Sequence, residues 1–327
     1  RQTVYIEVAD SLGYTTRGRY ILRGYEATHD QYVVVVDDWN LNEVSANPIW
    51  ADDEERDAFY DTRTATCALP VVEWDMLQHP EDGIFMPPGV DALRGASTVV
   101  WYTDGTLGGA FEGCGLWKAF HYVPGGYPTL ECYVRAGGNL VIAGTRPLGA
   151  IADDVTYSDP GDAIETSAAD TLPEYVFIRD VLGIGSGQES GGQVNPSAPW
   201  SYGYCFYGAT PDLAAPLALE PVFIDSVGEG GFPEEGKWPL YVSSFENYTR
   251  CGVPYVEHVE PYNATTQVLY RMVSFRNTEF DDVPCGLLRP SDGVRGGVCY
   301  LGFPLYYLKT CEASDMMETI LASFSEL

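Results

Sequence analysis

The run Tyr32-Val33-Val34-Val35-Val36-Asp37-Asp38-Trp39 constrains this chain more than any other stretch. Four successive β-branched residues without polar alternation describe a strand covered on both faces, the pattern of a parallel sheet. Such a sheet needs crossover connections and helices packed on its faces. The chain supplies matching segments. Strands are expected at residues 69–74, 97–102, 140–144, 266–273 and 297–303. The acidic stretch 52–61 reads as a helix with Ala58, Phe59 and Tyr60 on its apolar side. Pro128 opens a second helix closed by Gly137-Gly138, and Pro173 opens a third closed by Gly183. A last helix carries Met317, Ile320, Leu321 and Phe324 on one face, with Ser314 as its expected N-cap. The expected fold is therefore α/β, a mostly parallel sheet with helices on both faces.

Two regions read differently. Val4-Tyr5-Ile6-Glu7-Val8 alternates and Arg19-Tyr20-Ile21-Leu22 is a second short strand, so residues 1–29 form a β segment too small to bury a core alone. Residues 184–260 show no clear period, and 185–199 reads as a Gly/Ser-rich loop.

Composition narrows the function classes. The net charge is -29, with 47 acidic and 18 basic residues, of which only Lys118, Lys237 and Lys309 are lysines. So acidic a surface repels phosphate backbones, which argues against nucleic acid and against anionic membranes. No apolar run reaches the roughly 18 residues of a membrane span. Eight cysteines without a CxxC pair suggest a disulfide framework of at least three bridges and an oxidising compartment. Cys285 with Cys299 and Cys114 with Cys132 are the expected pairs. Asn247 and Asn263 begin glycosylation sequons. No signal peptide stands at Arg1, and the chain reads as a mature extracellular or cell-surface protein.

Four stretches together resemble a known family. They are Val34-Val35-Val36-Asp37-Asp38, then Val99-Val100-Trp101-Tyr102-Thr103, then residues 130–144 ending in Gly-Gly-Asn-Leu-Val-Ile-Ala-Gly, and residues 297–308 with Leu-Gly-Phe-Pro-Leu-Tyr-Tyr. This order resembles a class I glutamine amidotransferase-like domain of the branch found in large secreted bacterial surface proteins. The resemblance spans residues 30–327 with an irregular insertion at about 184–260, and it implies a flavodoxin-like, three-layer fold. Residues 1–29 resemble the last strands of a fibronectin type III or Ig-like module. Such amidotransferases place a cysteine on a sharp turn after a strand and a histidine later in the chain. Here the matching turn is Gly144-Thr145-Arg146, and Gly302-Phe303-Pro304 stands where the histidine would be. His29, His79, His121 and His258 all lie elsewhere. Nucleophile and base are both missing, so amidotransferase chemistry is not expected.

Other catalytic patterns fail as well: the chain has no G-x-S-x-G elbow, P-loop, HExxH or complete G-x-G-x-x-G. Asp38-Trp39-Asn40-Leu41-Asn42 begins like an EF-hand, but Glu43 takes the glycine position and Ile49 the bidentate-acid position. A looser calcium site at Asp37, Asp38 and Asp104 stays open as the one cofactor expectation. In open α/β sheets, ligands sit beyond the carboxyl ends of the strands. That edge would collect Asp37, Asp38, Trp39, Glu73, Trp74, Tyr102, Asp104, Thr145, Arg146 and Tyr306. Acids and aromatics in one crevice suit a glycan, and paired carboxylates suit glycoside hydrolysis. The favoured expectation is a non-catalytic structural or interaction domain. Its partners would be copies of itself through the N-terminal strands, or other surface proteins. Carbohydrate binding or processing is the alternative, and a degenerate hydrolase a third class.

Overall fold

The structure is a computed structural model that describes residues 2–9, 14–22, 27–38, 53–76, 80–81, 84–85, 87–103, 116, 129–152, 163–189, 206–225, 256–274 and 280–324. The valine run forms strand β3 (Tyr32–Asp38), following β1 (Gln2–Ala9) and β2 (Thr15–Leu22). Val33 and Val35 join one hydrophobic core and Val34 and Val36 another, so the strand is covered on both faces. Helix α1 (Asp53–Thr64) leads to β4 (Val71–Asp75), which pairs parallel to β3 at the sheet's edge. A two-residue ladder of β5 (Pro80–Glu81) and β6 (Ile84–Phe85) and the short α2 (Val90–Leu93) precede β7 (Ala96–Thr103), which lies parallel along the other side of β3. Helix α3 (Thr129–Arg135) then crosses to β8 (Asn139–Gly144), parallel to β7, and α4 (Pro147–Ala152) follows at once.

The rest of the sheet departs from the mostly parallel expectation. After β9 (Ile164–Glu165), α5 (Pro173–Phe177) and a π-helical turn (Ile178–Leu182), the chain runs through β10 (Ile184–Glu189), β11 (Phe206–Pro211), β12 (Val222–Phe223), β13 (Glu257–Pro261), β14 (Gln267–Ser274), β15 (Pro284–Arg289) and β16 (Val298–Leu301). The nine-stranded order is β12-β11-β14-β15-β16-β8-β7-β3-β4. Pairings from β16 to β4 are parallel, and those from β12 to β16 are antiparallel. The sheet is thus mixed. The physical reason is connection length: residues 290–297 form a tight turn closed by Asp292 and Ser291 side-chain bonds, and a tight turn can join only antiparallel neighbours. Part of the stretch read as a loop is also strand, because β10 pairs with β13 and β9 in a separate three-stranded sheet.

Helices α1 and α6 (Thr310–Ser323) contribute residues to the core of Val33 and Val35, while α2, α3, α4 and α5 contribute to that of Val34 and Val36. Helix α6 begins four residues before the expected cap. Ala313 and Met316 already belong to its buried face, and Ser314 Oγ donates to Thr310 O inside the first turn instead of capping. Pro173 and Gly183 do bracket their helical segment, with Gly183 left-handed at φ 77°.

Among the described residues Cys132, Cys285, Cys299 and Cys311 are unbridged, so neither the expected Cys285–Cys299 pair nor the expected Cys114–Cys132 pair is formed in this structure. Cys285 and Cys299 do lie on neighbouring strands, but the register sets Cys299 opposite Leu288, three residues from Cys285. Cys132 is unbridged on α3, and Cys114 lies outside the described residues. Strands β1 and β2 pair along eight positions, from Gln2 opposite Leu22 to Ala9 opposite Thr15, as a two-stranded sheet of their own.

Candidate functional site

The carboxyl ends of the parallel strands bring several expected site residues together, though not into one open crevice. Strand alternation sends Asp37 to the face of Val33 and Val35, and Asp38 to the face of Val34 and Val36. Both carboxylates are buried. Asp38 Oδ2 accepts the Trp101 indole N–H at 3.0 Å and the Leu116 backbone N–H at 2.8 Å. On the opposite face, the Tyr102 hydroxyl donates to Asp57 Oδ1 at 3.1 Å, and the Tyr102 ring stacks on Tyr60 at 3.7 Å. Burial pushes both tyrosine hydroxyls well above their ordinary pKa, and the negative charge of Asp37 pushes them further. Tyr306 is buried edge-on against Phe59 and Tyr307.

Two expected residues stand apart. Glu73 is exposed on the edge strand, and Trp74 packs half-buried against the Val34 face, opposite Val36 in register. Asp75, one residue further, is the β4 residue level with Asp37. Trp39 and Asp104 lie outside the described residues. Among the described residues no three histidine, cysteine or acidic side chains group as metal ligands.

The turn after β8 has a geometry of its own. Gly144 approaches the neighbouring strand so closely that a Cβ there would sit 2.0 Å from the Thr103 carbonyl oxygen. Thr145 N–H then donates to that oxygen at 3.1 Å. Arg146 follows in the left-handed region at φ 56°, and Pro147 opens α4 directly. A strained non-glycine residue on a strand-to-helix turn is how nucleophile elbows present their reactive side chain. Here that position holds a buried arginine, and Thr145 precedes it.

The amides behind the elbow are already engaged. Leu148 N–H donates to Glu257 Oε1 at 3.0 Å, and Gly149 N–H donates to the same oxygen at 3.2 Å. The Tyr300 hydroxyl donates to Glu257 Oε2. Glu257 comes from β13, and its side chain is fully buried. A carboxylate therefore fills the place where an acyl-transfer enzyme needs free amides for an oxyanion. Phe303, just after β16, is buried and stacks on Phe206 at 4.9 Å. His29 binds the Ala96 carbonyl at the other end of β7, and His258 pairs with Glu260. His79 and His121 lie outside the described residues.

Glu257, Tyr60, Asp57 and Tyr300 were not among the expected site residues. Glu257 sits in a stretch without readable period, and nothing in its neighbourhood signals a partner 109 residues away. Asn263 is exposed on the turn between β13 and β14, where its Oδ1 accepts the Thr265 N–H and hydroxyl; Asn247 lies outside the described residues. No protein-family model and no curated protein matches the chain.

Proposed function

We propose that this chain is a non-catalytic, extracellular or cell-surface structural and interaction domain on a three-layer, amidotransferase-like framework. The observation that carries this reading is the blocked elbow: Arg146 holds the strained position and Glu257 takes the amides behind it. An acyl-transfer site requires a nucleophile and a free oxyanion pocket at those two places. Burial favours this reading over carbohydrate binding. Asp37, Asp38, Tyr102, Thr145, Arg146 and Tyr306 are all buried, and the Tyr102 face is covered by Tyr60 instead of being open to a sugar ring. The acidic charge balance and the exposed Asn263 sequon support a surface location, whereas the free thiols lend it none. Copies of itself or other surface proteins are the partners, and calcium is the candidate cofactor.

The test assays the purified chain for ammonia release from glutamine and for hydrolysis of p-nitrophenyl acetate and p-nitrophenyl glycosides. No saturable turnover above the uncatalysed rate is expected. Saturable turnover that disappears in Arg146→Ala or Glu257→Gln would overturn the reading.

A further inference from the structure

We propose that β1 is a docking edge for a second copy of the chain, in a closed two-fold dimer where β1 pairs antiparallel with the partner's β1. The proposal rests on the self-association part of the proposed function and specifies its edge, partner and symmetry.

Three observations carry it. First, β1 and β2 form a sheet of only two strands, and neither pairs with another strand among the described residues. Two strands are marginal in water, and three or more are needed for independent stability. In an antiparallel pair every second residue turns its backbone N–H and C=O to the outer edge, so each strand offers half its groups to a further strand.

Second, the two edges are guarded unequally. Strand β2 carries Arg17-Gly18-Arg19 at its centre, and charges or glycine on an edge oppose further pairing. A two-fold β2 contact centred on Gly18 would set Arg17 against the partner's Arg19, like charge on like charge. Strand β1 reads Gln-Thr-Val-Tyr-Ile-Glu-Val-Ala, with one charge in eight residues. A two-fold contact centred on Tyr5 sets Val4 against the partner's Ile6 and Glu7 against the partner's Thr3, so no like charges meet. The result is one four-stranded antiparallel sheet, β2-β1-β1-β2, and an isologous contact of this kind closes at two copies.

Third, charge permits approach here and opposes it elsewhere. Residues 1–29 hold Arg1, Arg17, Arg19 and Arg23 against Glu7, Asp10 and Glu26, a net +1. The other residues therefore carry -30 of the chain's -29. Two copies meeting through their main bodies would press like charge together, whereas the hairpins are nearly neutral.

The experiment is light scattering on the full chain at several concentrations, with Ile6→Lys in β1 and Thr16→Lys in β2. The wild-type chain and Thr16→Lys are expected to give twice the chain mass, and Ile6→Lys the mass of one chain. Because a lysine could disrupt the hairpin itself, Tyr5→Cys provides a second readout. Under oxidised glutathione it is expected to yield a covalent dimer whose linked peptide contains residue 5 from both copies, since directly opposed Cβ atoms lie about 5 Å apart. A monomeric wild-type chain overturns the proposal. A dimer indifferent to Ile6→Lys, or particles that grow with concentration through head-to-tail pairing, would overturn it too. None of these outcomes produces turnover, so they stay distinguishable from failure of the non-catalytic reading.

Discussion

In the parallel half of the large sheet, β3 and β7 are buried along almost their whole length. In the antiparallel half, β14 alternates between buried and partly exposed positions, and its pairings with β11 and β15 slip register at Phe206/Gly208, Val268/Tyr270 and Tyr270/Arg271. Strands β3, β7 and β8 place residues in both hydrophobic cores, which clamp them from either face, and the elbow at Gly144–Arg146 stands at the end of that clamp. The antiparallel strands relieve misfit through bulges, which bend a strand at little cost. Tolerance to change should therefore differ between the halves even where burial is the same.

Glycine-to-alanine substitutions give the sharpest contrast, and the largest effect belongs to the elbow. At Gly144 the new methyl would meet the Thr103 carbonyl oxygen at 2.0 Å, in a backbone region that L-residues avoid. Neither group can swing away, because Thr103 is held in the β7–β8 ladder. Gly144→Ala is expected to cost about 4 kcal/mol, combining overpacking with backbone strain, read as a lowered urea midpoint. Should it cost no more than Gly286→Ala, the clamp account of the parallel half is wrong.

Glu257→Ala comes next. It leaves the Leu148 and Gly149 N–H groups and the Tyr300 hydroxyl without their shared acceptor in a buried place. The expected loss is about 3 kcal/mol, in line with the penalty for stranding buried donors. Glu257→Gln keeps one oxygen acceptor and should lose less. Equal urea midpoints for the two variants would mean that the carboxylate serves packing rather than the elbow amides.

Gly286→Ala probes the antiparallel half at the same level of burial. Its methyl would meet Leu301 Cδ2 and Tyr270 Cβ, each at 3.1 Å, and no backbone atom stands closer. The leucine end can turn and the adjoining bulge can give, so about 1 kcal/mol is expected, again from the urea midpoint.

The same contrast explains what the sequence made legible. Val33–Val36 announces a strand buried on both faces because a short run of four β-branched residues favours an extended backbone and leaves no polar face. The sharp turn at Gly144 was likewise visible as a strand end. What could not be read was the partner of each polar group. Asp37 and Asp38 look like a pair in sequence, yet the two-residue period of a strand sends them to opposite faces. Thr145 directly follows the glycine, but the left-handed position falls one residue later, on Arg146, with Pro147 starting the helix next. Glu257 was invisible, since its role depends on β13 crossing to the end of β16, a long-range contact without local pattern. Likewise, cysteine count argued for bridges, while bridging depends on register, which counting does not supply.

The smallest effect separates the halves by acid. Asp212, on the turn after β11, accepts the Ala214 backbone N–H at 2.8 Å and the Arg271 guanidinium. The Ala214 N–H, followed by Arg271, lowers its pKa below the ordinary carboxylate range. A depressed folded-state pKa means that the unfolded chain takes up the proton first, so Asp212 stabilises the fold fully above about pH 4, the unfolded value. That contribution fades as the pH falls through the lower folded value. The pair reaches solvent, which screens it, so under about 1 kcal/mol is expected. Asp212→Asn should therefore lower the urea midpoint by a small constant amount from pH 7 to 5, and the gap to wild type should close below pH 4. Hydrogen exchange localises the effect. The Asp212 amide, bound to Leu269 O, should lose protection in the variant, while Val100 and Val141 amides in β7 and β8 keep theirs. Equal loss in both places would show that the two halves unfold as one unit and that their difference in tolerance has another origin.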